Sequence, residues 1–303
     1  MNKIKTKERT QGALRKGKIF MKTKVCALIA AAITLTACGS DDELGSVNVI
    51  SREDGSGTRS AFVELVGVEE KDEDGNSVDN TTVEAIICKS TDVMLTQVSG
   101  DINAIGYVSY GSLNDTVKTL KIDGVTASPD TIKDGSYSIV RPFNIVTAED
   151  LSEAASDFIS FIMSADGQEI VEGESYVAVD EQAAAYEASG ASGKVVVAGS
   201  SSVGPVMQVL AEEYEKVNSD VTVEVQISDS TTGVKYTQEG TCDIGMISRE
   251  LKEDETGLEA MAIAQDAIAV IVNNENPLED ITMDNLKEIY LGNITEWSDL
   301  IEE

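Results

Sequence analysis

Two stretches of this chain share one build: an extended apolar run, a turn of serines and glycines, then a helical pattern. Val47, Val49 and Ile50 lead into SREDGSGTR (51–59), followed by Phe62, Leu65 and Val66 at helical spacing. KVVVAG (194–199) leads into SSSVGP and a helix with Val206, Leu210, Tyr214 and Val217 on one face. A strand that passes directly into a helix lays that helix back across its own sheet, so two such units commit the chain to layered strands and helices. VTVEVQI (221–227) alternates strictly, with Val221, Val223, Val225 and Ile227 on one side, and predicts a half-buried strand. AIAVIV (267–272) is apolar throughout, as a strand covered on both faces would be. Amphipathic patterns over 149–171 and 206–217 complete an α/β reading.

The chemistry lies in the turns. A helix start presents unpaired N–H groups and the positive end of the helix dipole, which suits an anion. Glycine lets the backbone come close, and small hydroxyls add donors without bulk. Pro205 fits the first helical turn and leaves Ser200, Ser201 and Ser202 at the mouth of one helix. Ser56, Gly57 and Thr58 occupy the equivalent place in the other turn. Arg52 can grip an oxyanion with two parallel hydrogen bonds, and Asp54 is placed to hold Arg52 from behind. Either turn alone is more often a plain helix cap. Two of them, with the hydroxyl-rich SDSTTGVK (228–235), point to a tetrahedral anion.

Composition removes several alternatives. The chain has no histidine, which excludes Ser-His-Asp and Cys-His catalysis and every His-based metal site. A serine hydrolase built on GSSSVG would also need a base, and no lysine lies near Ser201 in sequence. MKTKVCALIAAAITLTACGS (21–40) has two lysines, a short apolar run and a terminal cysteine, the layout of a signal peptide rather than of a membrane span. Leu35-Thr36-Ala37-Cys38 resembles the bacterial lipobox, which makes Cys38 the lipidated new N-terminus and the lipid the only membrane contact. An ordinary secretory signal with a chance cysteine is the alternative. Met21 is the favoured start, a long basic leader the other. Residues 1–37 hold nine of the 23 basic residues and one of the 54 acidic ones, so the remainder carries 14 against 53, a formal charge near −39. Such a surface repels nucleic acid and anionic lipid. Cys88 and Cys242 have no metal-site spacing; two buried thiols are favoured over the disulfide that export would permit. EEKDEDGNSVDN (69–80) reads as an acidic surface loop and DEQAAAYEASGASGK (180–194) as a linker.

SREDGSGTR, GSSSVGPVM, SDSTTGVK, CDIGMISRELK and IYLGNITEWSDL, taken together, resemble the phosphate-binding proteins of phosphate ABC importers, over essentially all of residues 47 to 303. The resemblance implies an α/β, two-lobed, periplasmic-binding-protein-like (type II) fold that closes around inorganic phosphate and delivers it to an ABC permease, with no cofactor and no catalysis. Carried over residue by residue, Ser201 and the Ser202 amide match one ligand group, Ser230 another, and Arg52, Ser56, Gly57 and Thr58 a third. Ser248 lies where the family adds a further polar group, with Asp54 and Arg249 in supporting places. Some members have an aspartate near Ser248-Arg249 that accepts a proton from phosphate. Here an arginine follows the serine, which leaves another tetrahedral oxyanion such as sulfate as the alternative ligand.

The order of the motifs departs from the family. There the GSSSVGP segment comes first, ITEWSDL lies mid-chain and SREDGSGTR follows shortly, whereas this chain begins with SREDGSGTR and ends on ITEWSDLIEE. That is the order of a circular permutation, with the former ends joined through 180–194. It predicts a linker at 38–46, one lobe from 47–137 with 273–303, the other from 138–272, and chain crossings near 138–144 and 271–277. It also predicts residues 47–60 packed beside 285–300. A fragment spanning two tandem domains is the competing account.

Overall fold

The computed structural model describes residues 44–73 and 75–300; the signal segment and Cys38 lie outside the described residues. β1 (Asn48–Arg52) turns into α1 (Gly57–Val66), followed by β2 (Glu69–Lys71), β3 (Ser77–Asp79), β4 (Ile86–Cys88), α2 (Thr91–Ser99), β5 (Ala104–Ser109), β6 (Val117–Thr119), β7 (Lys121–Ile122) and α3 (Pro129–Lys133). β8 (Val140–Thr147) opens a second set: α4 (Glu153–Ile162), α5 (Ala165–Gly173), β9 (Gly193–Ser200), α6 (Gly204–Val217), β10 (Val221–Ser228), α7 (Ser230–Gln238) and β11 (Ile244–Ile247). The 15-residue β12 (Glu259–Asn273) leads back to β13 (Asp280–Ile281) and α8 (Met283–Leu291).

Nine strands form one sheet in the order β10-β9-β11-β8-β12-β5-β1-β4, with β6 beside β12. Neighbours β10/β9, β9/β11, β5/β1 and β1/β4 run parallel, as strands joined through helices must. The continuous run 267–272 is the C-terminal part of β12 and fully buried, covered on both faces. The alternating run 221–227 is β10, the edge strand; Val221 is buried and Ile227 is 48 % exposed, because only one neighbour and one face are available to it.

Each half of the sheet has its own core. Phe62, Tyr107, Val270, Tyr290 and Trp297 pack under α1 and α8, with Met94, Leu95 and Val98 of α2 on the opposite face. Phe158, Phe161, Val197, Leu210 and Tyr214 pack under α4, α5 and α6, with Val234 of α7 on the opposite face. Burying each such side chain contributes roughly 1.5–3 kcal/mol. The chain passes between halves at 139–143, where Ile139 belongs to the first core and Phe143 to the second. The return passage lies inside β12 between Ala264 and Ala267, ahead of 271–277, because the strand stays extended while its partner changes from β8 to β5.

Two other details differ from the pattern in the sequence. The helical stretch 149–171 is two helices: Ser164 donates to Phe161 O (2.7 Å), accepts from Gly167 N (3.2 Å) and so caps α5. A Cβ on Gly167 would lie 2.2 Å from Phe161 O, so the tight junction requires glycine there. The acidic tract 69–80 forms the β2–β3 hairpin, its strands largely exposed. The N-terminal and C-terminal segments lie together: Val47 N donates to Thr295 O (2.8 Å), Trp297 N to Gly45 O (3.2 Å), and Ser46 bridges Glu296. Cys88 and Cys242 are buried free thiols. No helix of the described residues is long and apolar enough to cross a membrane.

Candidate functional site

Four helices begin around one buried cluster of hydroxyls between the two halves. The first half contributes Arg52 at the end of β1, Thr58 in the first turn of α1 and Thr91 at the first position of α2. The second contributes Ser200 at the end of β9, Ser201 and Ser202 between β9 and α6, Ser230 at the first position of α7, and Ser248 just after β11. Parallel strands all end at this edge of the sheet, which is why their following helices aim their N-termini at the same place.

The contacts cross the cleft. Arg52 Nη2 donates to Ser201 Oγ at 3.1 Å, and Nη1 reaches Thr91 Oγ1 at 3.4 Å. Thr58 Oγ1 lies 2.8 Å from Ser202 Oγ, while Thr91 Oγ1 lies 3.3 Å from Ser201 Oγ and 3.4 Å from Ser202 Oγ. Ser200 Oγ donates to Ser248 Oγ (3.0 Å), and the Ser248 amide donates to Ser230 Oγ (3.1 Å). A Cβ on Gly57 would stand 2.3 Å from Ser230 Oγ and 2.7 Å from Ser248 Oγ, so only glycine allows the halves this close. Thr231 N also donates to Gly55 O across the cleft (3.2 Å). Arg52 is 1 % exposed, and the hydroxyls around it are buried as well. Rotatable donors, one fixed guanidinium and four helix starts are together chemically able to surround an oxyanion.

The residues singled out from the sequence fall into two groups. Arg52, Gly57, Thr58, Ser201, Ser202, Ser230 and Ser248 meet in the cluster. Ser56 stands beside it as the α1 cap, its hydroxyl accepting from Arg59 N (3.3 Å). Asp54 does not hold Arg52: its side chain is 97 % exposed and pairs with Arg59 at 2.7 Å. The carboxylate on Arg52 is Glu53, which accepts from Nε (2.9 Å) and Nη2 (2.7 Å). The turn points Asp54 outward and folds Glu53 back along the guanidinium. Arg249 likewise turns away, gripping Glu255 at 2.8 and 2.6 Å. Asp229 caps α7 through Thr232, and Asp243 accepts from Val196 N, so neither carboxylate is turned to the cluster.

Behind the hydroxyls lies a buried ion pair at the passage between halves. Asp266 of β12 accepts from Arg141 Nε and Nη2 (3.1 and 3.0 Å), Ser109 Oγ (2.9 Å) and Tyr110 N (3.1 Å). Arg141 Nη1 then donates to Ser248 O (2.9 Å). Burial pushes the Asp266 carboxyl up to about 6, with the Arg141 charge pulling against it. Tyr107 braces the end of β1, bonded to Ser51 Oγ and the Arg52 amide, and burial raises its hydroxyl to about 12. Among the described residues no group of three or more His, Cys, Asp or Glu could hold a metal ion.

Sequence reasoning missed Thr91, Glu53 and the Asp266–Arg141 pair. Thr91 had a signal: IIC-KST-DVML repeats the order strand, hydroxyl turn, helix, but without a glycine to mark it. The ion pair had none, since its partners are far apart in sequence.

A curled α/β sheet whose halves face each other across a polar cleft is the periplasmic-binding-protein-like fold, and the chain belongs to the PBP superfamily, whose domain model matches residues 41–166 and 184–303. More particularly, it is 50% identical over 293 residues to the phosphate-binding protein PstS 2 of Streptococcus agalactiae serotype V, covering 95% of this chain and 99% of that one. With PstS 2 of Streptococcus pneumoniae serotype 4 it shares 44% identity over 288 residues, 91% of this chain and 99% of the relative. The crystal structure of a phosphate ABC transporter, phosphate-binding protein from Streptococcus pneumoniae TIGR4 superposes with a TM-score of 0.68 at 45% identity, covering 85% of this chain and 100% of that one.

Proposed function

We propose that this protein is the extracytoplasmic solute-binding component of an ABC importer for inorganic phosphate, which it captures in the cleft and hands to the permease. The observation that carries the reading is the Arg52-centred cluster, in which donors from both halves converge at helix starts inside a fold shared with phosphate-binding relatives. Arg52, Gly57, Thr58, Ser201, Ser202, Ser230 and Ser248 are the ligand set, with Ser56 holding the start of α1. Binding without catalysis is the activity this reading assigns, supported by relatives named as phosphate-binding proteins. Cys38 is the lipid anchor, supported by the lipobox-like LTAC ahead of it.

One lobe is built on 47–137 and the chain from Ala267 onward, the other on 138–264, with β12 reaching from the second into the first. A circularly permuted order accounts for this assembly. Gly45–Val47 lies against Thr295–Trp297, so the chain could be cut there without moving an element. Relatives aligned over nearly their whole length carry the same order.

Calorimetric titration of the chain from Ser40 onward with inorganic phosphate tests the reading. One phosphate per chain is expected; absence of binding would sink it. A sulfate arm decides selectivity, because hydroxyls both donate and accept and so serve either anion. Equal affinities would make this a general receptor for tetrahedral oxyanions.

A further inference from the structure

We propose that Thr91 contacts the bound oxyanion directly and completes its coordination on the side of Arg52; this rests on the cluster being the oxyanion site. Glu53 occupies Nε and one side of Nη2 of the guanidinium, and Ser201 approaches Nη2 as well. Thr91 Oγ1 faces Nη1. An anion oxygen gripped by the open edge of Arg52 therefore falls beside the hydroxyls of both Ser201 and Thr91. Thr91 is 4 % exposed and within 3.4 Å of Ser201, Ser202 and Arg52, so its hydroxyl has been drawn into the cluster and away from solvent. Ser90 caps α2 by accepting from Val93 N, which leaves the Thr91 hydroxyl free of capping duty. Thr91 and Thr58 come from the Arg52 side, the serines they touch from the other, so the Thr91 contact forms only when the halves close.

The test is calorimetric titration of the wild type, Thr91→Val, Thr91→Ser and Arg52→Ala with inorganic phosphate, each variant checked for folding by thermal unfolding. Losing one hydrogen bond to the charged anion should weaken Thr91→Val by roughly 10- to 100-fold, while Thr91→Ser stays within about twofold because the hydroxyl is retained. If Thr91→Val does not fold, Thr91→Ala reports the same loss. Wild-type affinity in Thr91→Val alongside strong loss in Arg52→Ala would overturn the role of Thr91 and leave the site intact. Equal losses in Thr91→Val and Thr91→Ser would overturn it too, since packing rather than the hydroxyl would then be at stake. A wild type that binds no phosphate would remove the site and this contact together.

Discussion

Arg52 is a cation held in a nearly dry place by one carboxylate, and that arrangement sets the largest single effect expected here. With Glu53 on one edge of the guanidinium, the other edge is aimed without further adjustment at the serines across the cleft. Removing a charged partner from a buried ion costs about 2–5 kcal/mol, so Arg52→Ala should weaken phosphate binding by roughly 30- to 5,000-fold in a calorimetric titration. An unchanged dissociation constant would exclude Arg52 from the site. Gly57→Ala adds a single methyl group, yet places it 2.3 Å from Ser230 Oγ. It should leave the melting temperature close to wild type while weakening phosphate binding at least tenfold, about 1.4 kcal/mol; a variant that binds normally would show the halves need not approach so closely. At this scale the sequence showed the donors well, because serine and glycine crowding at a helix start is a local pattern. It did not show which carboxylate serves Arg52. Glu53 and Asp54 are adjacent, and only the path of the turn separates inward from outward.

At the scale of elements, strands were easier to foresee than the places where elements break or are fastened. The runs 221–227 and 267–272 declared one half-buried and one fully covered strand through alternation and its absence. The split between α4 and α5 was hidden because both helices keep an amphipathic pattern across Met163 and Ser164. The segment 180–194, read as a linker from its small residues, is fastened by one of its few large ones. Tyr186 stacks edge-on against Phe161 and donates to Asp157 at 2.7 Å. Asp157 also accepts from Tyr214 (2.6 Å), Asn218 (3.2 Å) and Ser189 N (3.3 Å). Burial pushes the Asp157 carboxyl up, but these hydrogen bonds from Tyr214, Tyr186, Ser189 and Asn218 outweigh it and hold the group below the usual carboxylate range. A carboxyl depressed on folding adds stability that is fully present above its unfolded value and is lost as pH falls through the folded one. The acid limb of a stability–pH curve should therefore be shallower in Asp157→Asn than in the wild type. An identical acid limb, followed by denaturant unfolding, would show that the network carries no charge-dependent stability.

For the molecule as a whole, the meeting of residues 45–47 with 295–297 is the feature most open to a direct trial. Ser46 and Glu296 face each other in an antiparallel bridge, a spacing within the range a disulfide spans. Ser46→Cys with Glu296→Cys should form an intramolecular, reductant-sensitive cross-link, while the buried Cys88 and Cys242 stay unreacted. Cross-linked dimers instead would mean that each segment seeks its partner in another chain, as a piece of a tandem protein would. The motif order made this closure readable in advance; the route of β12 was not, since an apolar run does not reveal that its partners change midway. That route governs how the cleft moves. Because β12 is hydrogen-bonded into β8 on one side of Ala267 and into β5 on the other, it acts as a torsion bar clamped at both ends. Its middle can twist but cannot be pulled apart without breaking ladder bonds. A rotation about a line near Ala264–Ala267 is the opening that these two ladders permit. The Asp266–Arg141 pair stands on that line and, through Arg141 and the Ser248 carbonyl, ties the hydroxyl cluster to it.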